Sequence, residues 1–128
     1  AKEFVDKLPE GTDYHIAQLG RNVSGGQKQR LAIARALARG AEILVFDDSF
    51  SALDYKTDAA LRGELSRRFA DTTKVIVAQR ISSIRHADEI IVLDRGEAVG
   101  IGTHDELMRT CRVYQEIATS QLSAAELA

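Results

Sequence analysis

An α/β fold with a largely parallel sheet is what this chain predicts, on three observations. Short apolar runs alternate with helix-forming stretches, the runs are β-branched without polar alternation, and Gly or acidic residues punctuate the junctions. Residues 1–22 have no clean period, and Pro9-Glu10-Gly11 marks a turn there. A helix starts near Ser24, an N-cap residue type followed by two glycines and a helix-forming run. Leu31, Ala34, Leu37 and Ala38 share a face of it, with Ile33 beside them, and Gly40 supplies a left-handed stop. Ile43–Phe46 reads as a buried strand ending at Asp47 and Asp48, and a second helix runs from Asp54 to about Ala70. Val75–Ala78 and Ile90–Leu93 read as further strands, apolar as strands covered on both faces are. After the turn Asp94-Arg95-Gly96-Glu97, Ala98–Ile101 adds a short antiparallel strand. Thr103 and Glu106 have capping-box spacing and open a last helix through about Gln121, beyond which the Ala-rich end is expected to fray.

Composition narrows the function. A formal charge of −2 carries no basic excess, so neither nucleic acid nor an anionic lipid surface is indicated as the main partner. No apolar run approaches the roughly 20 residues of a membrane helix. Cys111 is the single cysteine, which leaves no intrachain disulfide and fits a reducing compartment. His15, His86 and His104 have no metal-ligand spacing to one another or to Cys111. Gly96, Gly100 and Gly102 lack the order of a dinucleotide fingerprint.

The chemistry concentrates in three consecutive pieces. In Asn22-Val23-Ser24-Gly25-Gly26-Gln27-Lys28-Gln29-Arg30, two glycines at a helix start expose backbone N–H groups at the positive end of the helix dipole, an arrangement suited to phosphate. Taken alone, Ser-Gly-Gly is an ordinary N-cap. An apolar strand ending in Asp47-Asp48 follows, and by itself an acid pair is a solvated turn. Ser51-Ala52-Leu53-Asp54 then reads as another N-cap. Their order is what matters: helix-start glycines, helix, Gly stop, strand, acid pair, Ser-Ala-Leu-Asp.

That series resembles the signature, Walker B and D-loop of ABC-transporter nucleotide-binding domains. The stretches Asp94-Arg95-Gly96-Glu97 and Gly102-Thr103-His104-Asp105-Glu106-Leu107 resemble the ending of the exporter type. The resemblance covers essentially the whole chain and implies the C-terminal part of a RecA-like P-loop NTPase domain. Residues 1–22 would be the end of the helical subdomain and the coupling loop, 23–40 the signature helix, and 41–128 the C-terminal part of the core. In this family two such domains pair head to tail. The resemblance therefore assigns Ser24, Gly25, Gly26 and Gln27 to ATP held mainly by the partner domain, with Asp54 in the D-loop. Asp47 would hold Mg²⁺ through water, and Asp48 would stand at the general-base position of the chain's own site. Implied partners are a second nucleotide-binding domain and the coupling helices of a transmembrane domain, at the cytoplasmic face of a membrane.

The pattern is broken in three places. Gly20-Arg21-Asn22-Val23-Ser24-Gly25 has the glycine spacing of a P-loop, but Gly26-Gln27 follows where Lys-[Ser/Thr] is required. The resemblance puts the P-loop upstream of Ala1, so the isolated chain is expected neither to bind ATP tightly nor to hydrolyse it. Asp48 stands where active members have glutamate, its carboxylate about 1.5 Å further back. Gln79, in Val75-Ile76-Val77-Ala78-Gln79-Arg80, occupies the position of the switch histidine and does not change protonation state near neutral pH. An intact signature beside a damaged site of its own matches the degenerate subunit of a heterodimeric exporter. The alternatives are a homodimeric exporter using Asp48 as base, or a dimerising half-domain without catalysis. A DNA-repair member of the wider class is disfavoured because heptads are absent.

Overall fold

The computed structural model describes residues 1–126, with side chains as far as Gln121. The chain forms two compact units, one running from Ala1 to Val77 and the other beginning at Ala78. The expected fraying of the Ala-rich end lies outside the residues described in full.

The first unit contains helix α1 (Lys2–Val5), two 3-10 turns at Gly11–Asp13 and Gln18–Gly20, helix α2 (Gly25–Leu37), strand β1 (Ile43–Asp47), helix α3 (Tyr55–Arg68) and strand β2 (Thr73–Val77). Strands β1 and β2 pair in parallel, with Ile43 opposite Thr73 and Asp47 opposite Val77. Parallel neighbours need a crossover of a dozen or more residues, and α3 lies in it. Leu44 and Phe46 of β1 join Ile33 of α2, Leu65 of α3, Phe50 and Leu53 in one buried cluster. The rings of Phe46 and Phe50 lie 5.2 Å apart at 40°. Each fully buried side chain of this size contributes roughly 1.5–3 kcal/mol.

Two sequence expectations are corrected here. Within these residues β1, expected to be buried, and β2, expected to be covered on both faces, each leave one face open: Leu44 and Phe46 are buried, while Ile43 and Val45 are 60% and 64% exposed, and Val75 and Val77 are also exposed. Apolar residues on both faces had hidden the period of two that the packing reveals. On α2 the inner face is Ile33 with Ala36 and Leu37, whereas Ala34 and Ala38 are exposed. That stripe continues toward the N-terminus through Gly26 and Gln29, which are not apolar, so a hydrophobic count placed it on the wrong side. The stop at Gly40 is as expected, at φ +63°.

In the second unit, α4 (Ile81–Ile84) precedes the antiparallel hairpin of β3 (Ile90–Asp94) and β4 (Glu97–Gly102), and α5 (His104–Thr110) and α6 (Arg112–Glu126) follow. Parallel pairing is thus confined to β1 and β2. Arg95 and Gly96 take φ +48° and +86°, the double positive φ of a type I′ turn that matches strand twist. A register shift after Val92 leaves Val99 as the extra residue of a bulge. Thr103 caps α5 in the expected box: its N–H donates to Glu106 Oε2 at 2.8 Å, and the Glu106 N–H donates to Thr103 Oγ1 at 3.4 Å.

The single last helix of the sequence reading is two helices. Cys111 is extended (φ −113°, ψ 104°) between α5 and α6. The break turns Cys111 and Tyr114 into a buried cluster with Leu107, Ile90 and Val92. Gly100 of β4 makes this approach feasible: a Cβ there would sit 2.8 Å from Cys111 Sγ and 3.0 Å from Leu107 Cδ2. Gln115 and Gln121 bind backbone within the same unit, donating to Met108 O at 2.8 Å and Gln79 O at 2.6 Å.

Candidate functional site

Ser24 is extended (φ −67°, ψ 162°) and caps the 13-residue α2. The Gln27 N–H donates to Ser24 Oγ at 3.2 Å, and the Ser24 N–H donates to Gln27 Oε1 at 2.8 Å. This capping box holds the helix start in one conformation. Gly25 and Gly26 form the first helical residues, whose N–H groups point out of the helix without carbonyl partners in it. The two glycines differ in surroundings. A Cβ on Gly26 would lie 3.0 Å from the carbonyl oxygen of Ala52, whereas one on Gly25 would meet only the Ala52 Cβ, at 3.9 Å. Gly26 lets the helix lie against the Ser51-Ala52 backbone, and Gly25 leaves the approach to the helix end open.

At the end of β1 both acids are exposed. Asp48 takes φ +47°, in the left-handed region that Asp tolerates better than most residues, and so turns the chain out of the strand. Its N–H donates to Val77 O at 3.1 Å, extending the parallel ladder by one bond. Its carbonyl accepts from Ser51 Oγ at 3.0 Å, and Ser49 Oγ donates to Asp47 O at 3.3 Å. The loop ends at Asp54, the N-cap of α3. Asp54 Oδ1 accepts from the Thr57 N–H at 2.9 Å and Oδ2 from Thr57 Oγ1 at 2.7 Å. These bonds, led by the one to the Thr57 hydroxyl, hold the Asp54 carboxyl below the usual carboxylate range.

The structure therefore brings Ser24, Gly25, Gly26, Gln27, Asp47, Asp48 and Asp54 into one unit, where the helix start and the acid-bearing loop touch at Gly26 and Ala52. Gln79 belongs to the second unit, exposed, with its carbonyl accepting from Gln121. The glycine-spaced stretch from Gly20 to Gly25 leaves a 3-10 turn, with Leu19 and Gly20 both near φ +60°, and not a strand. A P-loop links strand to helix, so this stretch is a decoy, as its missing lysine implied.

Two residues of the Asn22–Arg30 motif that the sequence left without a role hold the site together. Gln29 Nε2 donates to Asp48 O and to Ser51 Oγ, each at 3.3 Å, while its Oε1 accepts from the Ala52 N–H at 3.0 Å. Asn22 accepts from the Ala17 N–H at 2.9 Å through Oδ1 and donates to His15 O at 2.9 Å through Nδ2, fixing the loop that precedes α2. For Gln29 a signal existed: a polar residue three places after Gly26, on the stripe that continues as Ile33 and Leu37.

Comparison with known proteins agrees with this geometry. Residues 1–51 match the family model described as ABC transporter. The chain is 50% identical over 116 residues to an uncharacterized ABC transporter ATP-binding protein of Mycobacterium bovis, covering 91% of this chain and 20% of that protein. It is 42% identical over 123 residues to an ATP-dependent lipid A-core flippase of Haemophilus influenzae, covering 96% of this chain and 21% of that one. Among solved structures, a bacterial Atm1-family ABC exporter with ATP bound superposes with a TM-score of 0.89 at 37% identity, over 93% of this chain and 21% of that chain. The chain thus spans about a fifth of the length of the relatives it matches. By fold and by sequence, these residues match an α/β segment of the ATP-binding domain of exporter-type ABC transporters. Among the described residues no helix is long and apolar enough to cross a membrane.

Proposed function

We propose that this chain serves as part of the ATP-powered motor of an exporter, completing a partner domain's ATP site while its own site is catalytically impaired. The observation that carries this reading is the contrast within the chain. Ser24, Gly25, Gly26 and Gln27 form an intact, capped helix start, while Asp48 and Gln79 stand where active relatives of the resembled family have glutamate and histidine.

The helix start is suited to a phosphate. Its first N–H groups and the Ser24 hydroxyl offer donors, and the helix dipole favours negative charge by about 0.3–1 kcal/mol when exposed. Gly25 adds no side chain to obstruct the approach. Asp47 offers an exposed carboxylate at the strand end. Among the described residues no cluster of three or more His, Cys, Asp or Glu could hold a metal. A cation at Asp47 would take its other ligands from phosphate and water, the usual habit of Mg²⁺, which fits the role of water-mediated metal holder. Bound there, Mg²⁺ would neutralise charge on the phosphates.

Asp48 is one methylene too short for the base position. A misplacement of about 1 Å costs on the order of 10²-fold in rate. Gln79 can donate to a phosphate oxygen without titrating near pH 7. The predicted outcome is a site that retains ATP and clamps the dimer, opposite a site that turns over. The partners in this reading are a second, different nucleotide-binding domain and transmembrane coupling helices contacted through residues 12–20, at the cytoplasmic face of a membrane.

The test is ATP hydrolysis by the transporter that contains this chain, wild type against Asp48→Asn. Nearly unchanged turnover places the working carboxylate in the partner, as proposed. A fall of two or more orders of magnitude makes Asp48 the working base and favours a homodimeric exporter. The isolated 128 residues are expected to show no ATPase and no micromolar ATP binding by calorimetry.

A further inference from the structure

We infer that Gln29 is a positioning residue that locks the acid-bearing loop to the phosphate-facing helix start, so that a displacement at one is felt at the other. This inference rests on the function proposed above. Its basis is the number and direction of bonds that one side chain makes. Gln29 lies one turn into α2, and both ends of its amide are used on the same short loop. Its Nε2 donates to Asp48 O and Ser51 Oγ, and its Oε1 accepts from the Ala52 N–H. The loop between them has no regular ladder of its own. Its short-range bonds include the Ser51 N–H and Oγ bonds to Asp48 O, at 3.4 and 3.0 Å, the Ser49 Oγ bond to Asp47 O at 3.3 Å and the Leu53 N–H bond to Phe50 O at 3.1 Å.

Three further features stiffen the connection. Gly26, one turn before Gln29, lets the helix backbone approach so closely that a Cβ there would lie 3.0 Å from Ala52 O, so the same residue is held at its N–H by Gln29 and flanked at its carbonyl by Gly26. Phe50 and Leu53 anchor the loop in the core beside Ile33 of α2. The left-handed φ of Asp48, +47°, is a costly conformation that persists only where neighbours hold it, and Gln29 binds the carbonyl of that residue. An amide is suited to this task because it offers a donor and an acceptor side by side without charge. Glutamate would set a carboxylate oxygen against the Asp48 carbonyl.

In the dimer of the proposed function, the helix start faces one nucleotide and the acid pair the other. Gln29 would then connect the two ATP sites through a single side chain within one subunit. It touches neither nucleotide and acts only by position.

The experiment compares wild type, Gln29→Ala and Gln29→Glu in the full transporter, with two readouts. Amide exchange at Ala52 reads the lock directly, and steady-state ATPase between pH 5.5 and 8 reads its consequence. For Gln29→Ala, Ala52 exchange is expected to rise at least about tenfold. Turnover is expected to fall on the order of 10- to 100-fold with KM for ATP within about twofold, because positioning and not binding is lost. Gln29→Glu keeps an acceptor for the Ala52 N–H but, ionised across this range, cannot donate to Asp48 O, so its turnover is expected to fall at every pH as in Gln29→Ala. Unchanged Ala52 exchange in Gln29→Ala overturns the lock itself. Raised exchange with unchanged turnover overturns the coupling while leaving the proposed function intact. A wild-type transporter that hydrolyses no ATP refutes the proposed function, and the coupling with it.

Discussion

Replacing Gly100 by alanine puts a methyl group against the buried Cys111 and Leu107 of the second unit. The new Cβ would lie 2.8 Å from Cys111 Sγ, 3.0 Å from Leu107 Cδ2 and 3.1 Å from Cys111 Cβ. Leu107 and Cys111 are 1% and 5% exposed, so neither can swing into solvent to make room. Overpacking of this kind costs about 1–3 kcal/mol. Alanine returns about 0.5–1 kcal/mol by restricting the unfolded chain in a strand. The net expectation is a destabilisation of about 1–2 kcal/mol in urea unfolding, with the denaturant slope unchanged. A double-mutant cycle with Cys111→Ala isolates the steric contact. Removing Sγ deletes the shortest of the three approaches, so the two substitutions together should cost at least about 0.5 kcal/mol less than their sum. If Gly100→Ala is as stable as wild type, or the cycle is additive, the close packing of β4 on the break between α5 and α6 is not what holds this unit together.

Two further outcomes follow from the caps and the glycine pair. Asp54 and Glu106 both have lowered carboxyl pKa values, Asp54 through Thr57 and Glu106 chiefly through the backbone and side chain of Thr103. Their stabilisation is full above the ordinary carboxylate pKa and is lost as the pH falls through the lower folded-state value, below about pH 4. An acid titration followed by NMR should show the start of α3 and of α5 loosening there, with Asp54→Asn flattening the α3 part; a response near pH 6 instead would contradict the assignment. Gly25→Ala should leave stability within about 0.5 kcal/mol while lowering ATPase activity of the transporter, because its Cβ meets only ordinary contacts in the fold. Gly26→Ala should be the less stable of the two by about 1–2 kcal/mol, because Ala52 O is backbone and cannot rotate away. Equal thermal stability of the two variants would refute the distinction.

Much of the local structure was legible along the chain. Ser24 and Gln27, Asp54, and Thr103 with Glu106 carry their caps within three residues, so sequence spacing alone specifies them. The turn at Arg95-Gly96 and the stop at Gly40 are likewise set by local backbone preference. The order of glycine-bearing helix start, acid pair and Ser51-Ala52-Leu53-Asp54 was sufficient to indicate the family, because each piece keeps its chemistry in adjacent residues.

What required the tertiary structure was everything that depends on residues distant in sequence. Val45 and Leu44 are equally apolar, and only packing against α2 and α3 decides that one is buried and the other exposed. Cys111 lies within a run expected to be one continuous helix. The helix breaks there, and Gly100, eleven positions back, leaves room for its side chain in the core. Gln29 has no assigned role in the sequence, and only the folded loop at Asp48–Ala52 takes up both ends of its amide. Short-range hydrogen bonds and backbone preferences are written in neighbouring residues, so the sequence by itself determined the caps, the turns and the motif series. Burial, close approach and the locking of one segment to another depend on where remote segments meet, and only the tertiary structure decided them.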